Sequence, residues 1–212
     1  MRPHVTTTLP RILGAAALVV SIAGCASGSK APANTQFDFG PLGPPVTPNM
    51  QTAQAPLAAI VVMDATGSPA FENERMVYRL NYADPLQART YAQARWAANP
   101  LLLVTQRLKS RLAQAGIKVL SATDSSMNVP VLRLEVDDFS HTFASTTQSE
   151  GVVVLRASVF SGHALLDQKT FSRVTPAPTA DAPGGVRALA TSTDAAAADL
   201  TAWLAGIDIR KR

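Results

Sequence analysis

Cysteine and histidine are almost missing from this sequence of 212 residues: it has one cysteine and three histidines. A single thiol cannot close an internal disulfide, and with no second cysteine beside it there is no zinc-site spacing. His4, His141 and His163 are far apart, so no His-x-His or His-x-x-x-His pattern is present to hold a metal. Acids are no better placed for chemistry. Asp137 and Asp138 are adjacent, but neighbouring strand residues point to opposite faces, which makes a poor carboxylate dyad. Glu72 and Glu74 fall in a polar stretch. There is no Gly-x-Ser-x-Gly elbow and no phosphate loop, and Gly184-Gly185 after Pro183 read as breakers before a helix. Nothing in the pattern points to catalysis, a metal or a bound cofactor. A basic patch with interleaved aromatics is also missing, which excludes a nucleic-acid binder.

Long apolar runs are equally scarce, and the clearest lies at the start. Ile12 to Ala23 is apolar apart from Gly14 and Ser21, with Arg2 and Arg11 before it and small residues after it. This is the layout of a secretory signal, and the run is short of the roughly 20 residues a membrane helix needs. The lone cysteine stands directly behind it. Ile22-Ala23-Gly24-Cys25 resembles the bacterial lipobox: an aliphatic residue, two small ones, then Cys. The resemblance implies cleavage before Cys25, diacylglycerol on its sulfur and an N-acyl chain on its new amino group. Three acyl chains exceed the two-signal requirement for stable anchoring, at about 0.8 kcal/mol per buried methylene. Ala26 follows the cysteine where retained lipoproteins carry Asp, which implies the outer membrane. Removing residues 1–24 takes away Arg2 and Arg11, so 17 basic residues face 15 acids and the remaining chain is near +2. Arg210-Lys211-Arg212, in the tail 207–212, accounts for three of those positives.

Residues 25–56 form a tether. They are rich in Gly, Pro, Ser, Thr and Asn, and Gly40-Pro41-Leu42-Gly43-Pro44-Pro45 cannot continue a helix or a central strand. About 30 residues reach roughly 100 Å fully extended. Phe37-Asp38-Phe39-Gly40 interrupts the tether with two aromatics and marks a docking point. The folded domain is expected over 57–206. Short apolar runs predict strands at Leu57–Met63, Met76–Leu80, Ala88–Trp96 and Ile117–Leu120. Asn99-Pro100 opens a helix as N-cap and first residue, and Gly116 closes it. Leu101, Val104, Leu108, Leu112 and Ala115 form its apolar stripe, flanked by Arg107, Lys109 and Arg111, which are expected in solvent. Val131–Phe143 alternates as a strand but slips phase at Asp137-Asp138, which predicts a β-bulge there. With Val152–Phe160 and Ala164–Val174 it makes an antiparallel meander. Pro176–Gly185 is expected as a loop, followed by an Ala-rich helix to about Ala205. The sum is an α+β fold: one antiparallel-rich sheet with two main helices on a single face.

Tyr91-x-x-x-Arg95-Trp96-Ala97-Ala98-Asn99-Pro100, followed by Leu102-Leu103-x-x-Gln106-Arg107-Leu108, resembles the signature of the ABC-type transport auxiliary lipoprotein family. Phe37-Asp38-Phe39-Gly40, Leu134-Glu135-Val136-x-x-Phe139 and the closing Ala202-Trp203-Leu204 agree with it, so the resemblance spans about Phe37 to Leu204. It implies a non-catalytic lipoprotein at the periplasmic face of the outer membrane, the partner of an MCE-type lipid transport system. Its partners would be an MCE-domain protein that bridges the periplasm and, beyond that, the inner-membrane ABC permease and ATPase. Identical subunits would form a ring. Arg95 and Trp96 are the candidate partner-binding residues, although Trp96 reads first as a core side chain packed beneath Leu101. A lipid-binding carrier and an activator of a periplasmic cell-wall enzyme are the competing functions. Cys25→Ser is expected to leave a soluble or unprocessed protein in cell fractionation. Membrane attachment of the mutant that survives a high-salt wash would rule out the lipid anchor.

Overall fold

The computed structural model describes residues 34–44, 59–124 and 129–207. Cys25, the apolar run before it, most of the tether and the basic tail lie outside them. Nine strands run in chain order as β1 (Thr35–Phe37), β2 (Ala59–Val62), β3 (Thr66–Gly67), β4 (Arg75–Leu80), β5 (Asp84–Trp96), β6 (Lys118–Ser121), β7 (Val131–Phe143), β8 (Ser149–Ser161) and β9 (Ala164–Pro176). Helix α1 (Pro100–Gln114) sits between β5 and β6, and α2 (Ala182–Ala205) closes the fold.

Strand β7 organises the sheet. One edge pairs antiparallel with β8 from Val131↔Phe160 to Phe143↔Ser149, and β8 pairs antiparallel with β9 in turn. The other edge takes three shorter parallel partners in succession: β2, β3 and β4. The α+β class and the meander match the sequence reading, and the parallel ladders are what the structure adds. The predicted bulge is present, since Val136 faces Leu155 and the next pair is Asp138 with Val154. Asp137 is the extra residue. The slip keeps Leu132, Leu134 and Val136 buried before it, and Phe139, His141 and Phe143 buried after it. Asp137 itself turns outward, where Arg156 Nη2 donates to its Oδ1 at 2.7 Å.

Both helices join the core built on the buried face of the meander. Helix α1 begins as its sequence dictates, with Asn99 Oδ1 accepting from Leu102 N at 2.9 Å and Pro100 in the first turn. Helix α2 begins earlier than expected. Asp181 caps it through Gly184 N at 2.8 Å, so Pro183, Gly184 and Gly185 belong to its first turn and not to a loop. Proline is harmless there because its missing N–H has no intrahelical partner in the first turn. Gly185 has a separate reason: a Cβ on it would stand 2.3 Å from His141 Nδ1.

His141 therefore lies sealed under the start of α2, with no exposed surface. Its Nδ1 is 2.8 Å from the Tyr91 hydroxyl, and its Nε2 meets no protein partner among the described residues. Burial pushes its pKa down to about 4, opposed by the nearby charge of Asp181. Folded, the ring is neutral at pH 7. Unfolded, it would take a proton below about 6.5. The unfolded state thus binds more protons between these values, and stability falls as pH falls through that window, by roughly 3 kcal/mol in total. Urea titrations from pH 7 to 4 should show this slope, and His141→Gln should flatten it. An unchanged slope in the variant would assign it to other groups.

Candidate functional site

Trp96 stands at the end of β5, 1% exposed. Its ring packs against Phe39 edge-on at 5.7 Å and against Phe139 at 5.5 Å. Strand β1 lies beside it in parallel, with Phe37 opposite Trp96, and Ala97 N donates to Phe37 O at 2.7 Å. Of the two readings of Trp96, the structure shows the core side chain: it is covered by Phe39, because an indole of this size gains most by leaving water. One expectation changes. Phe37-Asp38-Phe39-Gly40 docks onto its own domain, so residues 34–44 are part of the folded body and not free tether. Arg95 points the other way and stays exposed, opposite Gln36 on one side and Arg75 on the other. The structure therefore separates the two residues that the sequence reading joined.

After β1 the chain turns sharply. Asp38 Oδ1 accepts from Gly40 N at 2.7 Å, and Gly40 takes a φ of 64°, which a glycine adopts without strain. The segment then runs as a strap against α1, held by a charge cluster that the sequence did not announce. Asp194, on α2, receives both Arg107 and Arg111 from α1. Its Oδ1 accepts from Arg107 Nε at 2.6 Å and Arg111 Nε at 2.8 Å. Its Oδ2 accepts from Arg107 Nη2 at 2.8 Å and Arg111 Nη2 at 2.6 Å. One carboxylate thus holds two guanidinium groups, each bidentate, the strongest geometry for this pair.

The remaining donors reach the strap. Arg107 Nη1 donates to Gly40 O at 3.2 Å, and Arg111 Nη1 to Gly43 O and Pro44 O, both at 3.1 Å. Gln114 Nε2 adds a bond to Gly43 O at 3.2 Å. Both arginines are 8% exposed, which corrects their expected place in solvent. Their long side chains lie in the seam between α1 and α2, where Asp194 supplies the charge that makes burial tolerable. Lys109, with no such partner in the seam, reaches the exposed Asp64 at 3.0 Å as a surface pair. Burial raises the pKa of Asp194, but hydrogen bonds from Arg111 and Arg107 outweigh it and hold the carboxyl below its ordinary value. The signal was faint: two arginines one helical turn apart, and one acid at position 194 on a largely apolar helix.

Two open clefts flank the strap. One, of about 350 Å³, is lined by residues 36–40, Ala97, Val186, Arg187 and Ala190. The other, of about 260 Å³, lies between Asp38–Gly40, Leu42 and the Leu103–Ser110 side of α1. Both are at the small end of ligand pockets, which span roughly 300–1,000 Å³, and charged groups line each of them. Among the described residues no group of three or more His, Cys, Asp or Glu side chains is placed to hold a metal ion. No helix among them is long and apolar enough to cross a membrane.

A family model described as ABC-type transport auxiliary lipoprotein component matches residues 41–201. Among solved structures, a protein from Xanthomonas campestris superimposes with a TM-score of 0.66 at 18% identity, over 80% of this chain and 94% of its own. An uncharacterized protein gives a TM-score of 0.64 at 13% identity, over 81% of this chain and 98% of its own. At these identities the likeness is one of fold. No curated protein matches the chain.

Asp194→Asn would leave two buried guanidiniums without their counter-charge. We expect it to cost about 3 kcal/mol and to lower the melting temperature by roughly 10 °C. Hydrogen exchange at Gly40, Leu42 and Gly43 should quicken with it. Unchanged exchange at these amides would mean that the strap is held without the clamp.

Proposed function

Because the chain belongs to the ABC-type transport auxiliary lipoprotein family, we propose that it is the docking lipoprotein of an MCE-type ABC lipid transport system. In this reading the diacylglycerol and N-acyl chains on Cys25 hold it at the periplasmic face of the outer membrane. The folded body then receives the far end of an MCE-domain protein whose permease and ATPase sit in the inner membrane. It performs no chemical step, and identical copies stand as a ring around the bridge.

One observation carries this reading: the chain that arrives from Cys25 is bonded into the body. Strand β1 is paired to β5, Phe39 is packed on Trp96, and the carbonyls of Gly40, Gly43 and Pro44 are held by Arg107 and Arg111. Only the residues between Cys25 and Asn34 separate the anchor from a rigid surface. A docking part needs this, since load applied to the body must reach the membrane without unravelling the connection. A carrier would need an apolar chamber, and the two clefts beside the strap are small, open and interrupted by charged groups: Asp38 and Arg187 in one, Asp38 and Arg107 in the other. Arg95, exposed near the end of β5, is available to a partner, whereas Trp96 would act only by supporting Phe39.

Crosslinking in cells, followed by affinity purification of the full lipoprotein, tests the proposal when protein and lipid are both identified by mass spectrometry. An MCE-domain partner with little bound lipid is the expected result. Abundant specific lipid without that partner would overturn the docking role in favour of a carrier.

A further inference from the structure

The outer end of the β4–β5 hairpin is poorly covered by the rest of the fold. Beyond the core residue Met76 its side chains become half-buried and then exposed, and at its end stand Tyr82, 49% exposed, and Leu86, 89% exposed. The pairing is irregular there: Arg79 faces Ala88 but Leu80 faces Asp84, so Pro85-Leu86-Gln87 bulge from the tip. The bulge is built, not frayed. Asp84 Oδ1 accepts from Leu86 N at 2.9 Å, Arg79 Nη1 donates to Pro85 O at 3.3 Å, and Arg89 Nε donates to Gln87 Oε1 at 2.8 Å. These bonds hold an apolar side chain outward, where burial within this chain gives it nothing.

Charge is concentrated on the same element. Residues 75–96 carry Arg75, Arg79, Arg89 and Arg95 against Asp84 alone, a balance of +3. Residues 25–212 as a whole stand at +2, so everything outside the hairpin sums to −1. None of the four arginines forms an ion pair among the described residues. Arg75 and Arg95 face each other at the far end of the hairpin, and Arg79 and Arg89 stand beside the tip. Leucine, tyrosine and these two arginines on one narrow tip match a lipid–water interface, where the apolar group enters the acyl boundary and cations meet anionic headgroups. A protein partner would have to bury about 1,200 Å² or more in total, a large area for so slender a tip.

The course of the chain favours the same occupant. Strand β1 runs parallel to β5, with Thr35 opposite Ala94 and Phe37 opposite Trp96. Thr35 is therefore the end of β1 that lies nearer the hairpin tip. From Asn34 to Cys25 is nine residues, a reach of about 30 Å. From Ala94 to Asp84 is ten strand residues, about 33 Å at the usual rise and less with the bulges. The two lengths match, so an anchor at Cys25 and the tip at Leu86 can meet one membrane surface.

We propose that the β4–β5 tip is a second membrane contact, with Leu86 and Tyr82 entering an anionic phospholipid interface and Arg79 and Arg89 engaging its headgroups. It rests on the lipid-anchor reading, and with Cys25 it would set the tilt of the body on the membrane. The test replaces Leu86 by tryptophan in the full lipoprotein, reconstituted into phosphatidylglycerol–phosphatidylethanolamine vesicles with brominated acyl chains. Leu86→Trp should show blue-shifted emission and bromine quenching above that of the wild type, whose two tryptophans give the baseline. Leu165→Trp, exposed at the β8–β9 turn, should not, and adding Arg79→Glu and Arg89→Glu should remove most of the effect. Quenching of Leu86→Trp no greater than the wild type overturns the proposal, and so does a blue shift without bromine quenching, which would mean a protein covers the tip. The mass of the Cys25 peptide from the same sample reports the anchor separately. If Cys25 carries no lipid, the anchor reading fails while the quenching still decides the role of the tip.

Discussion

The carboxylate of Asp194 is the contact on which the arrangement of this protein depends. Arg107 and Arg111 are one turn apart on α1, a spacing at which like charges repel on a helix surface. Burying both would be prohibitive without a counter-charge. Asp194 accepts four hydrogen bonds from them and so joins α1 to α2. Two cations against one anion leave a surplus positive charge, and it is turned toward the carbonyls of Gly40, Gly43 and Pro44. The strap is thus bound by the residual electrostatics of the helix–helix seam. Replacing such a cluster by apolar residues could give equal stability, but it would not tell the strap where to lie.

Around that clamp the molecule divides into a tight part and an open part. The tight part is the face of the β7–β8–β9 meander covered by α1 and α2, where approach is close enough to demand glycine. A Cβ on Gly151 would fall 2.5 Å from Leu189 N, and one on Gly185 would meet His141. Packing of this kind resists deformation. The open part is the outer end of β4 and β5, which carries exposed apolar groups and unpaired arginines.

Much of the fold was legible because its signals are local. The cap at Asn99, the stop at Gly116, the alternation of β7 and the phase slip at Asp137-Asp138 each lie within a few residues of the feature they specify. The family was legible for a different reason: Arg95-Trp96-Ala97-Ala98-Asn99-Pro100 and its companions occur in a fixed order along nearly the whole domain. What misled was also local. Pro183-Gly184-Gly185 looked like a loop because breakers usually are, yet in a first turn proline is harmless and glycine gives His141 room. Arginines beside an apolar stripe looked solvated because most are.

The sequence by itself determined the elements, their order, their caps and the family signature, since periodicity and capping act over a turn or two of chain. Only the tertiary structure decided the partners. It laid Phe39 on Trp96, brought Asp194 to arginines 83 and 87 residues away, and aimed β1 along β5. Contacts at that separation depend on how helices and strands stack. A charge has no local period that reveals its distant counter-ion, and an exposed aromatic-looking tether gives no sign of the core groove that will receive it.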